Sequence, residues 1–132
     1  MANILLVDDS PSFLAMMEAT LEREGHEVVA VESGMRCLDL IATQKFDVLV
    51  TDFFMPDVDG IALIMAAQVT SPGLPIIGVT GGEVSMRAPF LNAMQAFGVG
   101  TVLIKPFSPK ILIDAVEAAL LSAEHGYDAI TP

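Results

Sequence analysis

The chain has 132 residues, 53% of them hydrophobic, and carries 17 acidic against 6 basic side chains for a formal charge of −11. That length suits one compact domain, and the apolar content excludes a disordered chain, because enough surface is available for burial to offset chain entropy. The acidity opposes direct binding to nucleic acid or to anionic membrane surfaces, and no apolar run approaches the ~18 residues of a membrane span or follows a basic leader. A cytoplasmic protein with no membrane insertion is expected.

Residues 3–7 form a continuous apolar run, too short for a buried helix and typical of a strand covered on both faces. Ser10 and Pro11 then supply a cap and a first-turn proline, and Phe13, Leu14, Met16, Met17 and Leu21 recur at helical spacing until Gly25. Residues 27–31 read as a second strand, and Ser33 with Gly34 opens a helix that finishes near Thr43. A third strand covers 46–51, followed by the turn-rich Met55-Pro56-Asp57-Val58-Asp59-Gly60 and a helix over 61–69. Residues 74–79 make a fourth strand, Thr80-Gly81-Gly82 a mobile loop, and 90–97 a helix closed by Gly98 and entered through Pro89. The fifth strand covers 101–104, and Ser108-Pro109 begins a last helix carrying Ile111, Leu112, Val116, Leu120 and Leu121. Five strands alternating with five helices predict an α/β fold, a parallel sheet covered on both faces, with residues 1–122 as one domain and 123–132 as a flexible tail.

Asp8 and Asp9, Asp52 and Lys105 follow the first, third and fifth strands, and the carboxyl edge of a parallel α/β sheet would bring them into one crevice. Carboxylates so placed repel one another and call for a cation. A small set of hard oxygen ligands suits Mg²⁺, which binds one or two carboxylates plus a phosphate oxygen. Lys105 would face a phosphoryl oxygen, Thr80 would donate to another, and Asp52, alone at the middle strand's end, is the candidate nucleophile. Cys37 has no disulfide partner and reads as a small buried helix residue. The methionines, Met16, Met17, Met65, Met86 and Met94 among them, read as packing residues, and His26 and His125 as ordinary surface residues.

The ordered set Asp8-Asp9, Asp52 with Met55-Pro56 and Asp59-Gly60, Thr80, and Lys105-Pro106-Phe107 resembles the receiver domain of two-component response regulators, of chemotaxis type, over nearly the whole chain. The resemblance implies a flavodoxin-like (βα)5 three-layer sandwich with strand order 2-1-3-4-5. It implies a phosphoprotein of a phosphorelay, with Asp52 accepting a phosphoryl group from a histidine kinase or histidine phosphotransfer protein. Asp9, Asp52 and the Phe54 backbone carbonyl would hold Mg²⁺, or Mn²⁺ in its place, with Asp8 acting largely through water, and Thr80 and Lys105 would contact the phosphoryl oxygens. A shift of Thr80 would reshape the face of helix 4, strand 5 and helix 5, read by a downstream protein. A stand-alone receiver, monomeric or weakly dimeric and without multiple-turnover activity, is the expectation. The Lys105-Pro106 bond is a candidate cis peptide, and Phe107 is expected to pack under the last helix.

The chain departs from that pattern at Val102, where the family usually carries an aromatic residue that moves with the threonine. Switching is therefore expected to run through the backbone after Thr80. Phe54, bulky and apolar two residues past the acceptor, is expected to shield an acyl phosphate from water and slow its loss. Three alternatives stay open. An aspartate-nucleophile phosphohydrolase would want its nucleophile on the first strand and a second acid two residues on, where Ser10 stands. A flavin or nucleotide binder would want a glycine-rich loop in place of Asp9-Ser10-Pro11. A degenerate receiver would bind its partner unphosphorylated.

Overall fold

The computed structural model describes residues 1–81 and 88–124. Along the chain run β1 (Asn3–Val7), α1 (Pro11–Arg23), β2 (Glu27–Val31), α2 (Gly34–Thr43), β3 (Val48–Asp52), α3 (Gly60–Thr70), β4 (Ile76–Thr80), α4 (Ala88–Ala96), β5 (Thr101–Ile104) and α5 (Pro109–Glu124). The strands form one parallel sheet in the order β2-β1-β3-β4-β5, as expected for the flavodoxin-like sandwich. Among the described residues no helix is long and apolar enough to cross a membrane.

Successive strand residues point to opposite faces, and the core divides accordingly. Ile4, Leu6, Val48, Val50, Ile77 and Val79 meet Leu14, Met17 and Leu21 of α1 and Leu112 and Val116 of α5. Leu5, Val7, Leu49 and Ile76 face Ile41 of α2, Leu63 and Ile64 of α3 and Met94 of α4. Every residue of β3 and β4 is buried, which is why those segments read as unbroken apolar runs.

Each of the first three helices starts on a residue whose side chain takes up an otherwise unpaired N–H. Ser10 accepts from Phe13 N, Ser33 from Arg36 N and Asp59 from Ile61 N. The α2 start has a second acceptor. Asp57, in the β3–α3 loop, takes the Ser33 hydroxyl at 2.7 Å and the Gly34 and Met35 N–H groups at 3.2 and 3.1 Å. These donors, the Ser33 hydroxyl foremost, hold the exposed Asp57 carboxyl below its ordinary range.

Boundaries differ from the sequence reading where tertiary pairing overrides polarity. Strands β3 and β4 each extend onto their polar last residue, because Asp52 stays in register with Val79 and Thr80 with Ile104. Helix α4 begins before Pro89, and α5 continues past the expected domain limit at residue 122 to Glu124. The rest of the expected tail, His125, Met86 and the Gly82 side of the expected mobile loop lie outside the described residues.

Two single-residue expectations, for His26 and Met65, need correction. His26 is half-buried, and its Nδ1 accepts the Ala2 N–H at 3.2 Å, anchoring the start of β1. Phe107, as expected, packs half-buried against the core that includes Leu112 and Val116 of α5, and its ring also stands edge-on to Phe13 of α1, with centroids 5.1 Å apart. Met65 is 51% exposed, whereas Met17 and Met94 are buried as expected. Cys37 is buried, and burial pushes its thiol up to about 12, so it is chemically quiet.

Two glycines allow close approach around Phe53. A Cβ on Gly60 would strike the Phe53 backbone, and one on Gly78 would run into the Phe53 ring. Gly78→Ala is expected to cost about 1–3 kcal/mol through overpacking, read as a lower urea midpoint, with Phe53→Leu restoring much of the loss. Asp57→Ala is expected to lower the denaturation midpoint at neutral pH. Because the folded carboxyl titrates low, its contribution is complete above the unfolded value and disappears as pH falls through the folded one. Denaturant curves of the two proteins should therefore differ fully at neutral pH and converge only at pH well below the ordinary carboxylate value of about 3.9.

Candidate functional site

At the carboxyl edge of the sheet, register aligns the site residues in rows. Val7 pairs with Thr51, so Asp8 and Asp52 are the next residues on the adjacent strands β1 and β3. Asp8 continues the β1 ladder, donating its N–H to Val31 O at 3.2 Å. On the other side of the sheet, Thr80 ends β4, and its carbonyl accepts the Lys105 N–H at 2.7 Å. The Lys105-Pro106 bond is cis.

Strand β4 separates β5 from β3, so a group on β5 must span about 9–10 Å to reach β3. The long Lys105 side chain does so. Its Nζ lies 2.9 Å from Asp8 Oδ2 and 3.1 Å from Asp52 Oδ2, and 4.5 Å above the centroid of the Phe13 ring. Asp8 is fully buried and Asp52 is 6% exposed, while Asp9 is exposed. Backbone donors fix the other carboxylate oxygens: Ser10 N donates to Asp8 Oδ1 and Phe54 N to Asp52 Oδ1, each at 2.9 Å.

Burial pushes the Asp52 carboxyl above its ordinary value, and the Phe54 N–H and Lys105, which pull the other way, offset only part of that push. Burial alone would lower the Lys105 ammonium, but Asp8 and Asp52 outweigh it and hold the group above its ordinary value. The site therefore keeps a charged lysine beside a carboxylate made more basic by its surroundings.

One oxygen from each of Asp8, Asp9 and Asp52 can be chosen so that all three lie within 4.8 Å of one another. With all three ionised, three negative charges less one positive leave two in excess, which a divalent cation would neutralise. Asp8 Oδ2 meets the Lys105 ammonium at 2.9 Å and has no other polar partner among the described residues, leaving acceptor capacity on a buried oxygen. The all-oxygen donor set is compatible with Mg²⁺. Thr80 is fully buried and its Oγ1 has no hydrogen-bond partner among the described residues.

The remaining expected residues lie further out. Phe54 is 53% exposed and, with Phe53, Met55, Ile61 and Met94, lines an apolar recess of about 390 Å³ between α3 and α4. Val102 pairs with Gly78 on the edge strand and packs half-buried on the α2–α4 side. Two residues near the site escaped the sequence reading. Phe13 was legible only as part of a helical stripe, and Asp57 only as a turn residue, since neither ring face nor cap partner is encoded locally.

Comparison with known proteins agrees with this geometry. The model of the response regulator receiver domain matches residues 4–117. A chemotaxis protein CheY homolog of Campylobacter jejuni is 35% identical over 123 residues, covering 89% of this chain and 91% of its own. The transcriptional regulatory protein GlrR of Escherichia coli is 35% identical across 90% of this chain, which spans only 26% of GlrR. Among solved structures, a CheY-like receiver domain protein from Methanospirillum hungatei superposes with a TM-score of 0.87 at 27% identity, covering 96% of this chain and 98% of its own. With the family model matched over most of its length and a CheY homolog matched nearly end to end, this chain belongs to the response regulator receiver domains of two-component signalling.

Proposed function

We propose that Asp52 is the phosphoacceptor of a Mg²⁺-dependent phosphorelay, taking its phosphoryl group from a phosphohistidine of a sensor kinase or phosphotransfer protein. The observation that carries this reading is the buried Asp52 carboxylate paired with Lys105 at 3.1 Å, beside the unsatisfied Thr80 hydroxyl. In the transfer, an Asp52 oxygen forms a bond to phosphorus as the phosphorus–nitrogen bond breaks. The electron pair returns to the imidazole nitrogen, which takes up a proton. Asp9, Asp52 and the Phe54 carbonyl would hold Mg²⁺ or Mn²⁺, with Asp8 acting through water, and the bound ion would supply charge neutralisation at the phosphoryl oxygens.

The chain's own groups do the rest. Lys105 is already charged and held at the acceptor, so it meets a phosphoryl oxygen with little reorganisation. Thr80 Oγ1, buried without a partner among the described residues, would gain one when an oxygen arrives beside it. That new bond biases the backbone of Thr80, to which Lys105 N is hydrogen-bonded, and so couples β4 to β5. The face of α4, β5 and α5 then presents the signal to a downstream protein. Val102, too stiff and small to alternate between buried and exposed positions, leaves that coupling to the backbone.

Incubation with Mg²⁺ and a small acyl phosphate, followed by intact mass, is expected to show one added phosphoryl group in the wild type and none in Asp52→Asn. Lys105→Met is expected to slow its uptake by at least tenfold, in line with the loss of a preorganised charge. Absence of an Asp52-dependent gain would overturn the reading, and steady multiple turnover of a phosphomonoester would favour the phosphohydrolase. In a separate thermal melt, Mg²⁺ at a hundred times its Kd is expected to add about 2.7 kcal/mol of stability. Asp9→Asn should lose most of that gain.

A further inference from the structure

We infer that Phe13 is a positioning residue for Lys105: the face of its ring retains the ammonium at the site when the two carboxylates that pair with it are engaged by other partners. The inference rests on the phosphoacceptor reading and adds to it a residue from α1. Lys105 Nζ has three close neighbours, Asp8 Oδ2 at 2.9 Å, Asp52 Oδ2 at 3.1 Å and the Phe13 centroid at 4.5 Å. The last lies well inside the ~6 Å range over which a ring quadrupole attracts a cation.

The carboxylate contacts are the ones that function disturbs. Asp8 and Asp52 belong to the oxygen cluster compatible with a divalent cation, and Asp52 surrenders an oxygen when it is phosphorylated. Both changes weaken the attraction that holds a flexible four-carbon side chain in place. The ring face is not consumed by either.

The ring is itself held in position. Phe107, two residues after Lys105 in the chain, packs edge-on against Phe13 at an interplanar angle of 88°. At the other end, Phe13 N donates to the Ser10 hydroxyl, and Ser10 N donates to Asp8 Oδ1. One turn thus sets both the carboxylate and the ring against which Lys105 rests. A purely structural role is the competing account, since Phe13 also packs half-buried against the α1–α5 side of the core.

Phe13→Leu keeps an apolar side chain and removes the ring, whereas Phe13→Tyr keeps the ring. The chain has only three lysines, Lys45, Lys105 and Lys110, so the Lys105 Cε methylene is readily assigned by NMR. The expected result is an upfield ring-current shift of that methylene in the wild type and Phe13→Tyr, persisting with saturating Mg²⁺ and absent in Phe13→Leu. With a small acyl phosphate, Phe13→Leu should accept phosphoryl groups about three- to tenfold more slowly, the range a partly desolvated cation–π contact supports. Phe13→Tyr should remain near wild type, and Phe13→Leu should add nothing in a Lys105→Met background.

Loss of the ring-current shift on adding Mg²⁺ would overturn the inference. So would equal slowing by Leu and Tyr, or an undiminished Phe13→Leu effect without Lys105. If the wild type takes up no phosphoryl group, the phosphoacceptor reading fails, and the Lys105 shift in Mg²⁺ alone decides the role of Phe13. A variant that unfolds is recognised by its thermal melt, and Phe13→Tyr, with its ring and volume kept, then carries the shift measurement against wild type.

Discussion

Two buried carboxylates on neighbouring strands share one lysine, and the rest of the site is arranged around that contact. Asp8 and Asp52 lie next to each other at the carboxyl edge with almost no exposure, a placement that would be strongly unfavourable without a counter-charge. Lys105 supplies it from β5, across the intervening β4. The contact therefore ties together the two ends of the chain's βα succession, and it does so incompletely. The Asp8, Asp9 and Asp52 carboxylates outnumber the one lysine, so the crevice stays acidic and is compatible with a divalent cation.

The Thr80 hydroxyl, buried without a hydrogen-bond partner among the described residues, is the second element of tension. A buried donor without an acceptor costs roughly 1–3 kcal/mol, and the fold retains it directly beside the lysine-bearing strand. Such a group costs least in the state where an acceptor is present. Val102 on that edge strand packs half-buried against the α2–α4 side of the core.

The loop between β3 and α3 supports the Asp52 carboxylate from behind. Phe54 N holds Asp52, Asp59 caps α3, and Asp57 reaches across to the start of α2. Gly60 allows this loop to close against the Phe53 backbone. These contacts fix the segment that follows Asp52, so that carboxylate sits on a strand end braced by two helices.

Much of this was legible in the sequence. Apolar runs of strand length alternating with capped, 3.6-periodic segments specify five βα units, because both signals are local. The acids after residues 7 and 51 and the lysine after residue 104 stand at strand ends in any parallel arrangement of those units. Helix α3 and strand β3 were each placed within two residues: β3 starts at Val48, not at residue 46, and ends one residue later on Asp52, and α3 gains Gly60 and Thr70 at its ends. What sequence alone left undecided was side-chain direction between distant elements. The Phe13 ring beneath Lys105, the reach of Asp57 to α2 and the capture of Ala2 N by His26 join residues 92, 22 to 24, and 24 positions apart. No local propensity encodes them. They follow only once sheet register and helix packing set each backbone within reach of the other, and the balance of charge in the crevice is decided at that same stage.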